Sequence, residues 1–144
     1  DDVDTVISHP DTMIGSDSCD FAHDGILNFG KPHPRAYGTT GIIFRRYVRE
    51  LGLLTNEDAV RKMTSLPAKR LGIANERGTL KEGYFADIVI FDPETIADKA
   101  TYADPKQYSV GIDTVIVNGQ IAMENGVQLE DDHAGRMPRK KITK

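Results

Sequence analysis

Side chains able to do chemistry crowd the start of the chain: His9, Asp17, Cys19, His23, His33 and Arg35, with His133 far behind them. Asp17 directly follows the short apolar run Met13-Ile14-Gly15 and Ser16. A carboxylate at such a place could pass a proton as general acid and base, or join a metal's ligand set. On pattern alone, an aspartate after Gly-Ser is a strand-end turn or helix-cap residue. The histidines show no His-x-His spacing, and Cys19, two residues beyond Asp17, reads as an ordinary small buried residue. His33 and Arg35 lie in a Gly/Pro-rich stretch. There an arginine fork could grip a substrate carboxylate. Equally, both side chains could hold the loop together, through Asp11 or Asp24 for example.

The elements that must position these groups change character along the chain. Thr12–Ser16, an apolar run bounded by Pro10 on one side and Gly15 on the other, is expected to be a short buried strand. Cys19–Thr40 holds Gly25, Gly30, Gly38, Pro32 and Pro34 and is expected to be a long loop. Structureless loops of about 20 residues are uncommon unless they serve a site. Phe44, Tyr47, Val48 and Leu51 follow helical spacing and are expected to be buried, with Arg45, Arg46, Arg49 and Glu50 solvated and Gly52 closing the helix. Thr55 and Asp58 mark the start of a second helix that buries Ala59, Val60 and Met63. Ser65 and Pro67 open a third, which ends at Leu71-Gly72. Ile88–Phe91 is an apolar strand, and Asn118-Gly119 between two apolar runs signals a hairpin. A lone strand followed by helices, then a few strands with open edges, describes two halves that each need neighbours.

Composition narrows the class. Hydrophobic residues make up 39% and charged residues 28%, which suits a globular domain and not a disordered segment. A net charge of -4 gives no support to nucleic-acid binding, and no run reaches the roughly 20 apolar residues of a membrane span. One cysteine excludes an internal disulfide and a multi-cysteine zinc site. The start Asp-Asp-Val-Asp has neither Met nor a signal segment, so the chain reads as cut from something longer. The basic cluster Arg136–Lys144 reads as a solvated tail, and the cysteine usage leans cytoplasmic.

The stretch Lys62–Asp92 carries a resemblance. Met63-Thr64-Ser65-Leu66-Pro67-Ala68, Leu71-Gly72, Gly78–Gly83 and Ala86-Asp87-Ile88-Val89-Ile90-Phe91-Asp92 resemble, in this order, the C-terminal signature of the amidohydrolase superfamily. Val115–Gly119 resembles the closing hairpin of that superfamily's small β domain. Met13–Asp17, Lys31–Thr39 and Phe91–Tyr102 are similar to the N-acyl-D-amino-acid deacylase (D-aminoacylase) group within it.

The resemblance implies an α/β architecture: the last strand and helices of a metal-dependent (β/α)8 barrel over residues 1–75, part of a small β-sandwich domain over 76–130, and a basic tail over 131–144. A whole barrel takes about 250 residues, so the upstream part of the same protein would be the chain's partner and the chain would be inactive alone. The resemblance further implies zinc as cofactor and a small-molecule N-acyl-D-amino acid as substrate. It makes Asp17 both catalytic and metal-binding, and His33 and Arg35 substrate-binding. Cys19 does not match the position of the family's metal cysteine. The alternatives are another amidohydrolase, such as a dihydropyrimidinase-like cyclic amidase, or a non-catalytic β module used for assembly. Ser18-Cys19 and Lys31–Arg35 argue against the first, and the helical half argues against the second.

Overall fold

In a computed structural model, residues 1–129 and 134–136 are described. The chain runs α1 (Asp2–Ser8), α2 (Arg35–Ile42), a π-helix (Ile43–Glu50), α3 (Asn56–Met63), α4 (Ser65–Leu71), then β1 (Ile88–Phe91), β2 (Ile112–Val117), β3 (Gln120–Glu124) and β4 (Val127–Gln128). A single 3-10 turn, Gly25–Leu27, interrupts the stretch before α2. The four strands form an antiparallel sheet in the order β1-β2-β3-β4. A second sheet facing it, and further barrel strands, are not found among the described residues. No helix among them is long and apolar enough to cross a membrane.

The helical half follows local rules, with corrections. Thr55 caps α3 by accepting a hydrogen bond from the Asp58 N–H at 3.1 Å. Gly72 ends α4, as the sequence suggests, while the cap of α4 is Thr64 and Ser65 is its first helical residue. The expected long loop is shorter than Cys19–Thr40, because α2 begins at Arg35. The helix expected around Phe44–Leu51 winds as a π-helix, its end marked by the Leu51 N–H bonding to the Arg46 carbonyl at 2.9 Å. Bonding five residues back widens the turn. Ile43 and Phe44 are therefore buried, while Leu51 leaves the buried face at 44% exposure.

Two arginines of that helix depart from expectation, while Arg46 is exposed as expected. Arg45 pairs with Asp98 (Nε to Oδ1, 2.6 Å), and Arg49 donates to the carbonyls of Pro93 (2.8 Å) and Ile96 (2.6 Å). The long side chains reach across to the β half instead of remaining solvated. The hydrogen bond to Asp98, then that to Glu50, raises the Arg45 pKa further above its ordinary value. On α3 the buried residues are Ala59 and Lys62, with Met63 partly buried, whereas Val60 is exposed.

Thr12–Ser16 is extended but forms no strand: its one ladder-like bond runs from the Ile14 N–H to the Lys62 carbonyl at 3.2 Å. A strand needs a neighbour to pair with, and among the described residues none lies beside this segment.

The core joins the two halves. Ile43, Phe44, Leu54, Ala59 and Ile96 are buried together, with Phe91 and Ile112 of the sheet packed against them. The Phe44 and Phe91 rings lie 4.8 Å apart, tilted at 48°. Gly41 allows the approach, for a Cβ there would stand 2.4 Å from the Asp98 backbone nitrogen. At the far end Asn118-Gly119 makes the expected hairpin turn, with φ of 50° and 81°. The Ala86-Asp87 motif holds it. Asp87 Oδ1 accepts the Asn118 N–H at 2.8 Å, the Ala86 carbonyl accepts the Gly119 N–H at 2.9 Å, and Arg77 bonds to both Asp87 and Asn118. A second such turn, Asn125-Gly126, links β3 to β4.

Candidate active site

Asp17 stands where the extended segment turns out of the fold, in the left-handed region at φ 49°. Aspartate enters that region more readily than most residues. Its carboxylate is 88% exposed and forms an ion pair with Arg35 Nη2 at 2.9 Å. Arg35 is the first residue of α2, with Pro34 as its cap, so the chain must fold back over the intervening loop to bring the two together. Of the partners expected for Arg35, neither Asp11 nor Asp24 is used.

His33 is placed beside this pair by the same helix start. Its Nδ1 accepts the Arg35 N–H at 3.1 Å, and its Nε2 lies 2.8 Å from the Tyr102 hydroxyl. With Nδ1 accepting, the neutral ring carries its proton on Nε2, which donates to Tyr102. The rings meet edge to face with centroids 5.0 Å apart. Thus Asp17, His33 and Arg35 lie along one short path through the Arg35 backbone and guanidinium.

Next to them is an open cleft of about 310 Å³, lined by Ile14, Ser16, Arg35, Tyr37, Thr39 and Met63 among others. Tyr37 was not singled out by the sequence. Its hydroxyl is buried with no hydrogen-bond partner among the described residues. Burial first, then the neighbouring Tyr108, pushes its pKa up. His23 packs edge-on against Tyr37 (5.3 Å) and tilted against Tyr108 (4.3 Å), so it serves this aromatic cluster. Tyr102 was also missed. Sequence pattern flagged neither tyrosine, because Tyr37 lies in α2, where the sequence suggests a loop, and Tyr102 in an irregular segment that meets His33 only in space.

Cys19 is exposed, contrary to the expectation of a buried residue. It follows the polar turn Ser16-Asp17-Ser18 and lies outside the core. His133 is outside the described residues, as is most of the basic tail. No group of three or more His, Cys, Asp or Glu that could hold a metal occurs among the described residues. Zinc takes three or four protein ligands. Asp17 is an exposed carboxylate that belongs to no such group among the described residues.

Comparison with known proteins shows what the chain resembles. The family model described as "Amidohydrolase family" matches residues 2–123. The D-aminoacylase of Alcaligenes xylosoxydans xylosoxydans is 43% identical over 136 residues, which are 94% of this chain and 26% of that protein. A crystal structure of D-aminoacylase superposes with a TM-score of 0.81 at 43% identity, over 94% of this chain and 27% of its own. N-acyl-D-glutamate deacylase from Bordetella bronchiseptica, solved with zinc and a phosphonate inhibitor, gives a TM-score of 0.74 at 41% identity, over 88% of this chain and 27% of its own. The chain thus spans about a quarter of the length of the relatives it matches. On the family match and these likenesses together, the chain belongs to the amidohydrolase family.

Proposed function

We propose that this chain is the part of a zinc-dependent N-acyl-D-amino-acid deacylase that carries the proton-transferring aspartate and a substrate-binding arginine. The observation that carries the reading is the Asp17–Arg35 contact beside an open cleft, in a chain 43% identical to D-aminoacylase over 94% of its residues. Arg35 has one nitrogen on Asp17 and is 47% exposed, so its fork is open to solvent and could take a second carboxylate. In an N-acyl amino acid, the amide nitrogen is one carbon away from the α-carboxylate. An arginine gripping that carboxylate beside Asp17 brings the leaving nitrogen near the proton carrier.

Asp17 then takes a proton from the attacking water and returns it to the nitrogen as the amide bond breaks, giving a carboxylate and a free D-amino acid. Zinc, with its other ligands outside this chain and Asp17 at its edge, would acidify the water and polarise the carbonyl. His33 holds Arg35 in place through the backbone and Tyr102.

The test is a hydrolysis screen of the full-length protein against paired N-acetyl-D- and N-acetyl-L-amino acids and cyclic imides, with Asp17→Asn alongside. Preference for the D series is expected, with Asp17→Asn losing about 10²- to 10⁴-fold in kcat. A preference for the L series or for cyclic imides sinks the substrate assignment.

A further inference from the structure

Lys62 opens the motif that ends at Ala68, yet it stands outside the proposed chemistry. It is only 1% exposed, although the types of its helix neighbours Arg61 and Glu57 would place a lysine here in solvent. Burying an ammonium is costly unless its donors are used. Here they are. Lys62 Nζ donates to the Thr12 carbonyl at 3.1 Å and to the His9 carbonyl. Its own carbonyl accepts the Ile14 N–H at 3.2 Å. One residue therefore fastens the chain at positions 9, 12 and 14. Arg61 adds a bond to the Pro10 carbonyl at 2.8 Å from the protein surface.

Together with the packing of Ile14 against the core, these bonds fasten the segment to α3. Asp17 follows Ile14 by three residues, roughly 10 Å of extended chain. A methionine would fill the same space at lower desolvation cost, but it could not bond the two carbonyls. We propose that Lys62 is a positioning residue: by binding the His9 and Thr12 carbonyl oxygens it sets the course of the segment that presents the Asp17 carboxylate. The inference rests on the reading of Asp17 as the proton carrier.

The experiment compares full-length wild type, Lys62→Met and Asp17→Asn on an N-acetyl-D-amino acid, well below the melting transition. Rates are expressed per folded molecule by circular dichroism. A misplacement of about 1 Å costs on the order of 10²-fold. Lys62→Met should accordingly lose about 10- to 100-fold in kcat with KM held within roughly twofold. Unchanged kcat per folded molecule, even with a lower melting temperature, overturns the proposal and leaves Lys62 a merely stabilising residue. A change confined to KM overturns it too. If Lys62→Met does not fold, Lys62→Gln, with a shorter arm and fewer donors, is read by the same criteria. An Asp17→Asn variant that keeps its activity refutes the parent reading instead, so the two failures are told apart.

Discussion

A charged side chain in this chain acts according to what it reaches. Asp17 is exposed and meets one guanidinium, whereas Lys62 is buried and meets two carbonyls. Burial first, and then nearby Arg61, lowers the Lys62 pKa from its ordinary 10.5, with Asp58 and Asp11 opposing. A lysine whose folded pKa lies below its unfolded one leaves the unfolded chain holding more protons between the two values, so stability rises with pH across that window. The neutral amine still has two N–H groups for its two carbonyls. We therefore expect the full-length protein to gain stability as pH climbs toward 10.5, and Lys62→Met to flatten that slope. Denaturant titrations at a series of pH values check this, and an unchanged slope in the variant refutes it. The resemblance to the deacylase group, and not the residue pattern alone, made Asp17 a candidate. The pairing of Arg35 with Asp17 rather than Asp11 or Asp24 was not legible, because it depends on how the loop returns.

Among the elements, locally encoded features matched their expectations best. The Thr55 cap, the end of α4 at Gly72, strand β1 and the Asn118-Gly119 turn each rest on residues a few positions apart. Burial on the helices was harder to read. A π-turn moved Leu51 off the core, and Val60 gave up its place to Lys62. Glycine positions separate the two kinds of constraint. Gly41→Ala would drive a Cβ against the Ala97 and Asp98 backbones, at 2.6 and 2.4 Å. Gly119→Ala would meet only Ala86 Cβ at 4.0 Å and suffers chiefly from its φ of 81°. Overpacking against backbone costs about 1–3 kcal/mol or more, and a non-glycine residue in the left-handed region about 1–2 kcal/mol. Gly41→Ala is thus expected to lower the denaturation midpoint more than Gly119→Ala, as measured on the same full-length protein. The reverse order would mean that helix α2 does not press on the Ala97-Asp98 bridge.

At the scale of the whole molecule, helices and sheet share one core, and among the described residues no group of three or more His, Cys, Asp or Glu could hold a metal. Isothermal titration of the 144-residue chain with zinc should give no saturable one-site binding. The full-length protein, carrying the remaining ligands, should retain the metal. A stoichiometric isotherm from the chain alone would show that the missing ligands are here after all. By itself the sequence determined the three helical segments from Phe44 to Leu71, the Thr55 cap, strand β1, the Asn118-Gly119 turn and, through the motifs Lys62–Ala68 and Ala86–Asp92, the family, but neither α2 nor the absence of a strand at Thr12–Ser16. These are local properties, written in neighbouring residues. Only the tertiary structure decided that Arg35 meets Asp17, that His33 reaches Tyr102, that Arg45 and Arg49 tie the helices to the sheet, and that Lys62 lies inside. Those contacts join residues from 18 to 69 positions apart. They follow from where packing brings the backbone, which no short window of residues encodes.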